Sequence, residues 1–196
     1  MKIARIIGSN SHVAYIARVI DTLDADEPPR ADDYGFAQFV ALPLGDGLDV
    51  VGVIFDTQLV NPDYGQLGPR LSPPAELSVL SPDVLHEQGV LVHLLLVGWR
   101  EGERVAQGVP RRVIPVGQEV HTLPAEEVQA FHRDAAGRVQ LHYYSQAVAH
   151  AGAFAVPLLE GIIAQLEGAC APEERQRLCV LKKSLVWQRT LGGARL

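Results

Sequence analysis

The stretch GVLVHLLLVGW, Gly89 to Trp99, limits what this chain can fold into more than any other. Read at the two-residue period of a strand, it places Val90, Val92, Leu94 and Leu96 on one face and Leu91, Leu95 and Val97 on the other. A strand with one wet face alternates apolar and polar residues, so a strand apolar on both faces must be covered on both. The cover is either the chain's own helices or a second subunit. The run is too short for a membrane-spanning helix and contains His93, and no other window approaches such a span.

Five further segments up to about Pro115 share its texture: IARIIG, HVAYIARVI, GFAQFVALPL, LDVVGVIFDTQLV and RRVIPVG. They are rich in Val, Ile and Phe, and turn chemistry separates them in DADEPPRADDYG, GDG, NPDYGQLGP and EGERVAQG. Asp46 and Gly47 make a hairpin turn between two apolar runs. Six short strands with little helix among them predict a small closed barrel, because closure removes the exposed edges of an open sheet.

From Pro124 the period changes. LPAEEVQAFHR opens with Pro124 and two Glu, as a first helical turn prefers. After a turn at Gly137, VQLHYY reads as a short strand. VPLLEGIIAQLEG spaces Leu158, Ile162 and Leu166 four apart with Leu159 and Ile163 beside them, an amphipathic helix. PEERQRLCVLKKSLVWQRTLGG starts another at Pro172, with Leu178, Leu181 and Leu185 as its seam and Gly192 and Gly193 as its stop. The expected architecture is α+β: a small N-terminal β-barrel over residues 1–120, and a mainly helical C-terminal extension over 121–196 packed on it.

Composition narrows the role. The net charge is −6, and residues 1–115 carry all of it (15 acids against 9 Lys and Arg), while 116–196 balance at 8 against 8. The whole-molecule field therefore does not attract nucleic acid or an anionic membrane, and any phosphate-facing surface belongs to the C-terminal part. Arg175, Lys182, Lys183 and Arg189 are basic residues of its last helix, and Trp187 with His142, Tyr143 and Tyr144 could stack on bases. A solvated helix face and aromatic anchors between helix and barrel explain them more simply. Cys170 and Cys179 are too few for a disulfide framework, and MKIARIIGSN shows no signal peptide, so a cytoplasmic location is expected.

Compact catalytic signatures are missing from the sequence. There is no phosphate-loop motif, no dinucleotide fingerprint, no zinc-spaced Cys or His set and no nucleophile elbow. What remains is dispersed: Asp56, Asp63, Asp83, His86, Glu87 and His93, with His12 near the start. Asp56, Asp63, Asp83 and Glu87 are the candidates for a metal-dependent nuclease or other hydrolase, since paired carboxylates hold divalent cations. Turn roles compete: Asn-Pro-Asp at Asp63 is a hydrogen-bonded turn, and Ser81 with Pro82 caps a short helix ahead of Asp83. The expectation is no catalytic centre, no metal and no cofactor.

ARIIGSNSHVAYIARV, VVGVIFDTQLVNPDYGQLGPRLS and GVPRRVIPVGQEV together resemble HAS-barrel proteins over roughly residues 1–120. That six-stranded barrel is shared by HerA-type DNA translocases and rotary ATP synthases. In the family it precedes a RecA-like ATPase domain and helps hold subunits in a ring, and HerA-type proteins work with the NurA nuclease on DNA ends. Fewer than a hundred residues follow the barrel here and they lack a phosphate loop, so ATP hydrolysis and translocation do not carry over. The resemblance implies a non-catalytic assembly or accessory role in DNA repair, with a ring-forming ATPase or nuclease as partner and self-association as a further expectation. NPDYGQLGP, braced by two prolines and two glycines with Tyr64 as anchor and Arg70 near its end, then reads as a rigid docking loop.

Overall fold

In a computed structural model of the protein, residues 1–61, 89–102, 104–168, 170, 173–180 and 182 are described. Seven strands appear among them: β1 (Lys2–Ser9), β2 (Ala14–Val19), β3 (Phe39–Pro43), β4 (Leu48–Val60), β5 (Gly89–Glu101), β6 (Arg104–Gln107) and β7 (Glu119–Thr122). Six of them close an all-antiparallel barrel in the order β1-β2-β5-β4-β3-β7, with β7 returning to β1. The long strand β5 makes closure possible. One of its edges pairs with β4 from Gly89 to Glu101; the other is divided, Leu91–Leu95 pairing with β2 and Gly98–Glu101 with β6.

The two apolar faces of β5 enter two different cores. Val92, Leu94 and Leu96 point into the barrel beside Ile3, Ile6, Tyr15, Leu42, Ile54 and Val120. Leu95 and Val97 point out, with Phe39, Val51, Val53 and Phe55, into a layer made with helices. The chain thus supplies its own cover for the outer face. One-residue bulges at Phe55 on β4 and Val97 on β5 reset the alternation; such bulges bend a strand and re-aim its side chains. After Val97, Gly98 also faces the helical layer. A Cβ there would sit 2.2 Å from the Ala106 carbonyl oxygen and 2.8 Å from Phe131 Cζ, so only glycine lets β6 and the first helix approach this closely.

That helix, α1 (Ala125–Phe131), follows β7 directly, with Glu126 and Glu127 in its first turn. After it come α2 (Tyr144–His150) and α3 (Ala155–Glu167), and residues 173–180 are helical. On α3, Leu158, Leu159, Ile162, Ile163 and Leu166 are fully buried, each worth roughly 2 kcal/mol of apolar burial. Gln165 Nε2 on α3 donates to the Ala37 carbonyl at 2.9 Å, and Gln146 Nε2 on α2 donates to the Leu96 carbonyl; both fasten the layer to the sheet. The α+β expectation of an N-terminal barrel followed by helices holds.

Three local expectations need correction. RRVIPVG is not a strand: Pro110 precedes it, Pro115 interrupts it, and neither has an N–H for a ladder; it crosses the barrel end with Ile114 N donating to Tyr15 Oη at 3.2 Å. Glu119–Thr122 supplies the sixth barrel strand instead. EGERVAQG, read as a turn, contains β6 between Gly102 (φ +59°) and Gly108 (φ +136°). VQLHYY forms only an isolated bridge, Val139 with Arg133, and Tyr144 already belongs to α2. Gln107 takes the place of a partner strand there: its Nε2 donates to the carbonyls of Phe131 (3.0 Å) and Gln140 (3.2 Å), and its Oε1 accepts from His142 N (2.8 Å). The hairpin at Asp46 and Gly47 is present, with Gly45, Asp46 and Gly47 all at positive φ.

Candidate functional site

The described part of the C-terminal helix, 173–180, leans on residues 138–144 and leaves a groove between them of about 300 Å³. Val139, Leu141, Tyr144 and Leu178 give it an apolar floor, and Arg138, Arg177 and Glu174 give it a charged rim. Its acid is held in place: Val139 N donates to Glu174 Oε1 at 3.2 Å, and Arg133 lies 3.6 Å from the other oxygen. Arg138 is set by Asp134, whose oxygens accept from the Ala136 and Arg138 amides and from the Arg138 guanidinium. Those bonds, led by the Arg138 amide, hold the Asp134 carboxyl below its ordinary value. The site offers an apolar slot with a mixed-charge edge.

Arg175, one of the expected interaction residues, is exposed on the same short helix, and Lys182 is half-buried just beyond it. Tyr64, Arg70, Lys183, Trp187 and Arg189 lie outside the described residues, as do Asp63, Asp83, His86 and Glu87. Of the dispersed catalytic candidates, Asp56 sits half-buried on β4 and its Oδ1 accepts from Thr57 N at 2.8 Å. His93 pairs across from it on β5 and stands edge-on to Phe55 at 6.1 Å. His12 is hydrogen-bonded through Nε2 to the Pro110 carbonyl at 2.7 Å. Among the described residues no three of His, Cys, Asp or Glu gather to hold a metal ion.

Two polar centres were not read from the sequence. Arg100 on β5 reaches Asp49 on β4 at 2.9 Å and Glu127 on α1, tying the first helix to the barrel wall. His132, just past α1, is completely buried. Its Nδ1 lies 2.7 Å from the Val128 carbonyl, its Nε2 lies 2.6 Å from Tyr143 Oη, and the rings of Phe39, Phe131 and Tyr143 surround it edge-on. Desolvation pushes His132 down to about 4, with the Val128 hydrogen bond opposing, and drives the Tyr143 hydroxyl well above its ordinary value. A perturbed histidine in a cleft marks a candidate site. This one is sealed from solvent and fully hydrogen-bonded, so it is a structural tie. Its signal in the sequence was a helix-terminal His eleven residues before a Tyr, which nothing distinguishes from chance.

Barrel, layer and groove together define a class: an α+β protein whose closed six-stranded antiparallel barrel is packed on one side by its own helices. The chain belongs to the family described as Domain of unknown function (DUF8166), which matches residues 1–195. Among curated proteins none matches it. The resemblance stated above is met at the level of the closed barrel, while the family match carries no HAS-barrel assignment. Among the described residues no helix is long and apolar enough to cross a membrane.

Proposed function

We propose that this protein is a non-catalytic assembly or accessory module of the HAS-barrel kind, docking to a ring-forming ATPase or nuclease of HerA and NurA type in DNA end processing. The observation that carries this reading is the groove between residues 138–144 and 173–180, a preformed apolar slot beside two cores that the described residues already fill. A slot of this kind accepts a partner's segment with little ordering cost. Arg177 lies on its rim, Arg175 is exposed on the same helix, and Lys182, Lys183 and Arg189, with Trp187, extend the same stretch of sequence.

Size-exclusion chromatography with the HerA-type ATPase and NurA-type nuclease of the same organism tests the reading. Co-elution is expected, and Arg175→Glu with Arg177→Glu should weaken it. Single- and double-stranded DNA incubated with the purified protein and Mg²⁺ or Mn²⁺ should stay intact. Cleavage that disappears in Asp56→Ala would replace docking with the metal-dependent hydrolase.

A further inference from the structure

Residues 108–118, GVPRRVIPVGQ, contain Arg111 and Arg112 and no acid. They cross the turn end of the β1–β2 hairpin and are pinned along their length. Gly108 N donates to the Val97 carbonyl (2.9 Å), the Pro110 carbonyl meets His12 Nε2 (2.7 Å), Ile114 N donates to Tyr15 Oη (3.2 Å), and Gly117 N donates to the Ile6 carbonyl (2.8 Å). Held this way, the loop presents both arginines to solvent, together with Val113 (68% exposed) and Val116 (76% exposed). Beneath it runs a groove of about 280 Å³, floored by Val50 and Trp99 and edged by Glu101. Exposed single aliphatics are ordinary. Two on one anchored loop beside an arginine pair form a prepared contact surface, because the ordering entropy of binding is already met.

The opposite end of the same hairpin carries the complement. Residues 21–33, DTLDADEPPRADD, hold six acids against Arg30 alone. Asp24, Asp26, Glu27 and Asp32 are exposed, and Leu23 stands out among them at 57% exposed. Ile20 N donates to the Ile3 carbonyl at 2.9 Å, which sets this segment beside the start of β1, whereas the arginine loop lies beside its end. A strand of this length separates the two by roughly 20 Å. One chain cannot join its own two ends, but two chains can.

We propose that copies of this chain associate end to end, the 108–118 loop of one seated on the 21–33 segment of the next. The inference rests on the reading of the protein as an assembly module and names the surfaces for it. Such a contact is heterologous, so it closes into a ring or runs on as a filament. A second copy fits better than nucleic acid: Glu101 edges the groove, the loop's aliphatics offer no stacking surface, and the chain is acidic overall.

Light scattering of the full chain over a concentration series, in about 50 mM and about 500 mM salt, tests it. The mass should rise above one chain with concentration and fall back in high salt. Arg111→Glu with Arg112→Glu should raise the half-association concentration at least about tenfold, and Asp26→Arg with Glu27→Arg should do the same. Mixing the two double variants should restore association, since each then offers the end the other lacks. Unchanged melting of both variants shows that they fold. A one-chain mass throughout, or association indifferent to the reversals, overturns the proposal. So does a one-chain protein held by single-stranded DNA through the same arginines. A monomer that still co-elutes with the ATPase or nuclease removes end-to-end association and leaves docking standing; an associating chain that captures neither does the reverse.

Discussion

Tyr143→Phe removes one oxygen from the sealed centre and leaves its histidine behind. The Val128 carbonyl can only accept, so His132 Nδ1 carries the proton and Nε2 is a bare acceptor for the Tyr143 hydroxyl. Without that hydroxyl a fully buried acceptor is unsatisfied, at a cost of about 1–3 kcal/mol. For a chain of this size each kcal/mol moves the melting temperature by about 2–4 °C, so a fall near 5 °C is expected, within about 2–12 °C. Urea titration and calorimetry at neutral pH measure it. The acid side gives a second reading. Folded His132 takes its proton only near 4, against 6.5 when exposed, so between those values the unfolded chain binds a proton that the folded one refuses. Its stability contribution is therefore fully present above 6.5 and is lost as pH falls toward 4, about 3 kcal/mol in all. His132→Leu combined with Tyr143→Phe should flatten that slope and recover stability relative to Tyr143→Phe alone, because both partners of the bond are gone. A Tyr143→Phe protein within about 0.5 kcal/mol of the parent, or a double variant with the parent's pH slope, would refute the assignment of donor, acceptor and charge.

Gly98→Ala should cost about 3 kcal/mol, read by urea titration, since its Cβ meets backbone on β6 and the Phe131 ring and both must move. Arg100→Ala strands Asp49 and Glu127 and should destabilise by about 1–3 kcal/mol, with earlier hydrogen exchange in α1 than in the barrel strands. Asp46→Gly should stabilise by about 0.5–1 kcal/mol in thermal melts, because Asp46 holds φ +53° in the β3–β4 turn, a conformation glycine adopts without strain.

The barrel was legible in the sequence because its signal is local and repetitive: Val, Ile and Phe at period two, punctuated by Gly, Pro and Asp. Strand β5 carried the most information, since two apolar faces require two cores, and the amphipathic run at Leu158–Leu166 supplied the second. Where the reading failed, a side chain had replaced a ladder. Gln107 satisfies three backbone groups that would otherwise need a neighbouring strand, and no periodicity reports a glutamine's targets. RRVIPVG misled because Val113, Ile114 and Val116 mimic a strand while two prolines forbid one. The His132–Tyr143 tie and the Arg100 triad depend on tertiary proximity between residues far apart or out of register. The groove at 138–144 was not visible beforehand: Arg138 and Arg177 of its rim were not singled out, and its floor was divided between an expected strand (Val139, Leu141, Tyr144) and a helix seam (Leu178).

Ring closure has a consequence for how the chain is born. The outer edge of β1 pairs with β7, Arg5 against Glu119, and that of β2 waits for β5, Arg18 against Leu91. During synthesis from the N-terminus the first hairpin emerges with both outer edges bare and keeps one of them bare until residue 122 has cleared the ribosome. At about 5–20 residues per second that interval lasts on the order of 5–20 s. Throughout it, a row of unpaired amides and carbonyls beside Ile3, Ile6, Tyr15 and Val19 is a template for another nascent strand. Expression level, codon tempo over residues 20–120 and access to holding chaperones should therefore govern soluble yield more than the stability of the finished barrel does.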